Sequence, residues 1–71
     1  MRNPRIDPQP GDVLELRPGW TRTVTSRVDD LVVFESLFGD QTIKSMEVFV
    51  APWQRACDLP TARVIRRGED V

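Results

Sequence analysis

Hydrophobic and polar residues alternate in short runs through the first half of the chain, and turn-forming pairs separate the runs. From Asp12 to Arg17, Leu14 and Leu16 fall on one side and Glu15 and Arg17 on the other, which predicts a strand with its Leu face inward. Pro18-Gly19 follows and suits a type II turn, since Pro presets the first φ and Gly accepts the positive second one. Trp20 to Val28 predicts a second strand, with Val24 and Val28 on one face and Thr21, Thr23, Thr25 and Arg27 on the other. Arg22 and Ser26 share the Val24 face, an irregularity that a β-bulge or a bend accounts for. After Asp29-Asp30, the run Leu31 to Leu37 is apolar on both faces at its start, which predicts the most buried strand. Gly39-Asp40 suits a type II′ hairpin into a short strand, Gln41 to Lys44, with Ile43 directed inward.

At Ser45 the period changes. Met46, Phe49, Val50, Trp53 and Cys57 recur at helical spacing behind a residue that belongs at an N-cap, predicting a helix over about 46–57. Pro52 leaves two possibilities: the helix kinks there, or Glu47 to Val50 extends the fourth strand and one helical turn starts at Pro52. A last strand is expected from Ala62 to Arg67, before Gly68 and the acidic tail 69–71. At the other end, Pro4, Pro8 and Pro10 make residues 1–10 an extended arm, either laid against the domain through Ile6 or free as a tail. Residues 11–68 are therefore read as one domain.

Four meander strands, a short helix and a closing strand resemble the SH3-like small barrels, which include the KOW and Tudor domains. Gly11-Asp12-Val13-Leu14 through Gly19-Trp20, followed by Val24 and Val28, is similar to the KOW opening, although Thr23 to Arg27 lacks the second-strand Gly of that pattern. The Pro-rich arm before Gly-Asp-Val-Leu, the Thr-Arg-Thr-Val strand and the Ser-capped helix with Phe and Trp also resemble short proteins of bacteriophages and prophages. The fold implied is a mainly β, five-stranded antiparallel small barrel with a helix between strands four and five. The source implied is a protein of the bacterial host cytoplasm.

Composition narrows the chemistry. With 71 residues the chain buries only about 60% of its unfolded surface, so function belongs to the outside rather than to a deep cleft. One Cys and no His exclude a disulfide within the chain and a Cys/His zinc site, and the longest apolar runs are far short of a membrane span. Without His or Tyr the commonest proton carriers are missing, and Cys57 sits on the apolar stripe, where packing is expected. Asp29-Asp30 lacks the spaced oxygen ligands of a calcium loop and reads as a turn, and the four glycines are too scattered for a phosphate loop. No catalytic residue, cofactor or metal is expected.

Charge distribution leaves two binding readings. Residues 1–28 carry five Arg and three acids, residues 29–58 two basic and six acidic residues. The first reading is a protein partner, host or phage, met by Trp20 and by Asp29, Asp30, Glu35 and Asp40, the acids imitating phosphates toward a basic surface. The alternative is nucleic acid, bound by a stripe of Arg17, Arg22, Arg27, Arg63, Arg66 and Arg67, with Trp20 stacking on a base. A Trp20 folded back over the domain end would contribute to neither. The oligomeric state is left open.

Overall fold

The computed structural model describes residues 2–56 and 58–68. It contains β1 (Val13–Arg17), β2 (Trp20–Val28), β3 (Leu31–Ser36), β4 (Gln41–Ser45), α1 (Met46–Ala56) and β5 (Arg63–Arg66). The strands form one antiparallel sheet in the order β4-β3-β2-β1-β5. The expected closure into a barrel is not present: β4 and β5 are the two edges of an open sheet. The helix occupies the face that closure would enclose. Its Phe49 and Trp53 pack on Leu14, Val24 and Val32, and the sheet needs no opposing strands to cover that side.

The helical stripe is as the spacing predicts, and Ser45 caps it, its Oγ accepting from the Val48 amide at 3.4 Å. The helix runs unbroken through Pro52, so the version in which residues 47–50 extend the fourth strand is excluded. Tertiary packing outweighs the missing Pro52 amide, because Phe49 stacks obliquely on Phe34 (centroids 5.1 Å apart) and on Trp53 (6.2 Å). Cys57 and the acidic tail 69–71 lie outside the described residues.

Register decides which side chains meet the helix, and it overturns three expectations. Val32 pairs with Lys44 and Val33 with Ile43, so Lys44 is on the helix side while Ile43 projects from the open face, 64% exposed. For the same reason β3 is not the most buried strand: only Val32 is fully covered, whereas β1 buries both Leu14 and Glu15. The β3–β4 connection is a three-residue loop, not a two-residue hairpin at 39–40. The Gly39 amide donates to the Ser36 carbonyl and the Ser36 amide to the Asp40 carbonyl, with Gly39 at φ 85°, a turn closed by a glycine bulge. Leu37 and Phe38 are thereby pushed out at the tip. The anticipated bulge in β2 is present between Val24 and Ser26, and Gly19 has the positive φ its type II turn requires.

The N-terminal arm is folded against the sheet, through Pro4 and Pro8 rather than through Ile6, which is exposed. Its anchor is Asp12, a fully buried carboxylate. Arg2 donates to both Asp12 oxygens (2.5 and 2.8 Å), and the Gln9 and Gly68 amides each donate at 2.7 Å. Burial pushes the Asp12 carboxyl up, but the Arg2 guanidinium and the two amides outweigh it and hold the group below its ordinary 3.8. A Cβ on Gly68 would lie 2.1 Å from the Pro10 carbonyl oxygen, so only glycine lets the arm cross the end of β5 this closely.

Candidate functional site: a cation-rimmed aromatic groove

On the helix side, sheet and helix diverge at the end of β1 and the start of β2. The bulge between Glu15 and Arg17 turns Leu16 and Arg17 toward this opening, and Trp20, directly after the turn, stands beside them. Arg22 enters from β2 on the Val24 face, as the irregular alternation implied, and Phe34 forms the floor from β3. Lys44 reaches in from β4, while Val48, Phe49, Pro52 and Trp53 make the helical wall. The result is a groove of about 390 Å³. Seven of its ten lining residues are apolar, the other three are Arg17, Arg22 and Lys44, and no acid lines it.

Among the described residues these three cations have no carboxylate partner, and Arg22 makes one hydrogen bond, to the neighbouring Thr21 carbonyl at 3.2 Å. Trp20 is 57% exposed at the rim rather than folded back, and it also borders a second hollow of about 230 Å³ shared with Arg22, Leu37 and the 82% exposed Phe38. The apolar surface therefore continues from the groove over Trp20 onto the β3–β4 tip. Exposed aromatic residues this close together are uncommon on a monomer surface that contacts only water.

Of the predicted arginine stripe, only Arg17 and Arg22 meet Trp20. Arg27 bonds the arm, donating to Asp7 Oδ1 and to the Pro8 carbonyl, both at 2.9 Å, and its guanidinium holds Asp7 below the usual carboxylate range. Arg63 pairs with Glu15 at 2.9 Å on the face away from the helix. Arg66 and Arg67 line a separate hollow with Arg2. The acids are also divided: Asp29 and Asp30 form the β2–β3 turn, whereas Glu35 and Asp40 stand at the opposite end of β3, beside the β3–β4 loop. Asp29 is the one non-glycine with positive φ among the described residues, at 49°, in keeping with its turn role.

Sequence reasoning missed Phe34, Lys44, Val48 and Pro52 altogether as site residues, and read Leu16, Phe49 and Trp53 as packing rather than as groove lining. The available signal was Lys44, the only Lys in the chain, lying one residue from Ile43 and so on the opposite face. Among the described residues no cluster of acids or Cys fit to hold a metal ion occurs, and no helix is long and apolar enough to cross a membrane. Comparison of the chain with protein-family models, with curated proteins and with solved structures gave no match.

Proposed function

We propose that the chain is a non-catalytic binding module that docks on another protein, gripping an acidic, apolar segment of the partner in the groove between α1 and the β1–β2 turn. The supporting observation is the lining itself: Trp20, Phe34 and Val48 present apolar surface, and around it stand three cations that, among the described residues, have no ion-pair partner and no opposing acid. Tryptophan, phenylalanine and arginine are the side chains that dominate protein interfaces, since they desolvate large areas at low entropic cost. The largely exposed Phe38 extends that surface beyond what a phosphate chain would use. The adjacency of β1 and β5, with a helix between β4 and β5, supports kinship with the SH3-like architecture, and the resemblance to phage proteins suggests a host or phage protein as partner.

Nucleic acid is the second reading, favoured by Trp20 standing beside Arg17 and Arg22. One titration separates the two. A synthetic peptide with two aspartates next to a leucine and a phenylalanine is expected to bind and to change Trp20 fluorescence. Its lysine-substituted counterpart is expected not to bind, and Arg22→Glu weakens the acidic peptide about tenfold. Binding of an oligothymidylate with a steep loss of affinity in salt, without binding of the acidic peptide, would replace the protein reading by the nucleic-acid one.

A further inference from the structure

The groove has a complement on the same molecule. At the β2–β3 turn, Val28 and Leu31 are register partners, so both side chains leave the sheet on one face, 60% and 50% exposed. Asp29 and Asp30 stand between them, exposed and without an ion pair among the described residues. This is an acidic tip with an apolar flank, the chemistry the groove accepts. The tip is also held rigid: the Asp30 carbonyl accepts from the Met46 amide and the Asp29 carbonyl from Arg27 Nε, both at 2.8 Å. Docking it costs little ordering entropy.

Geometry keeps the tip away from the Trp20 end of the groove of its own chain, although Lys44 and Val48 lie nearer to it. Val28 and Trp20 are the two ends of a nine-residue strand, about 25 Å apart at the rise of an extended chain. The longest dimension of the molecule is 30 Å, so the tip and Trp20 lie near opposite extremes. We infer that copies of this chain associate head to tail, with Val28, Asp29, Asp30 and Leu31 of one seated against Trp20, Arg17 and Arg22 of the next. The inference rests on the groove reading above and names a second copy as an occupant. A four-residue tip covers far less than the ~800 Å² per partner of a standard interface. The association is therefore weak, salt-sensitive and visible only at high concentration.

The test is sedimentation-equilibrium mass measured up to about 1 mM protein in about 50 mM salt, where surface charges are screened less than at physiological ionic strength. The expected result is a mass that rises from 8.1 kDa to at least twice that value and falls back at high salt. Two double variants each stay monomeric: Asp29→Asn with Asp30→Asn, since asparagine also tolerates the positive φ, and Arg17→Glu with Arg22→Glu. Mixed in equal amounts they associate one to one, because one supplies an intact groove and the other an intact tip. Circular dichroism and melting temperature serve to show that both variants are folded. A wild-type mass fixed at 8.1 kDa, or association indifferent to both variants, overturns the inference. If the wild type stays monomeric yet binds the acidic peptide, the groove reading survives and only self-docking fails; if it does neither, both fail.

Discussion

At the scale of single residues, one buried carboxylate ties three parts of the chain together. Asp12 is buried, accepts four hydrogen bonds and joins the arm, the start of β1 and Gly68, two residues beyond β5. Its folded pKa is depressed below the ordinary carboxylate value, so the stability it confers is fully present above about pH 5, well clear of the unfolded value, and is lost as pH falls through the folded one. Asp7, lowered by Arg27, acts in the same direction. Urea unfolding at a series of pH values is expected to show a stability that holds from neutrality down to about pH 5 and then drops. Asp12→Asn should cost about 3–5 kcal/mol at pH 7, because Arg2 is left beside a neutral amide, and should flatten the acid limb of the curve. A variant with an unchanged acid limb would mean that other carboxylates set the acid sensitivity.

At the scale of elements, local pattern was enough to predict the parts and insufficient to orient them. The Pro18-Gly19 turn and the Ser45-capped stripe depend on interactions within a few residues, and both stand where the sequence places them, whereas the strand-one alternation holds only to Glu15, because the bulge before Arg17 brings that side chain to the Leu16 side. The inward Ile43, the most-buried β3 and the closed barrel depend on cross-strand register and on what covers the sheet, which no local period encodes. Lys44 in the groove follows from that register alone. Of the site, Trp20, Arg17 and Arg22 were legible, because all three flank one turn; the helical wall was not, because Val48 and Pro52 lie off the apolar stripe. Pro52 then offers a test of what α1 tolerates for the groove. Pro52→Ala restores an amide to the helix interior and is expected to raise stability by about 1–3 kcal/mol in chemical unfolding. It also removes a ring from the groove wall, so affinity for the acidic peptide should fall while stability rises. A destabilised variant would show that the proline ring contributes more by packing than its missing hydrogen bond costs.

At the scale of the whole molecule, the two ends of the sheet are built differently. One end is clamped: Arg2, Gln9, Asp12 and Gly68 converge, Arg5 donates to the Ala62 carbonyl, and Arg27 holds Asp7 and Pro8. The other end carries the groove, with exposed Trp20 and Phe38 and three cations that form no ion pair among the described residues. A chain this small encloses too little apolar surface to be indifferent to its arm, so the clamp belongs to the fold rather than decorating it. The coupling can be read from a double-mutant cycle of Arg2→Ala and Asp12→Asn. Arg2→Ala alone strands a buried carboxylate and should cost about 3 kcal/mol or more, with the Asp12 pKa rising. In that background Asp12→Asn removes an uncompensated charge, so its effect should shrink toward zero or turn stabilising. Additive costs would instead mean that the arm and β1 contribute independently, and that Arg2 does no more than lie along the surface near Asp12.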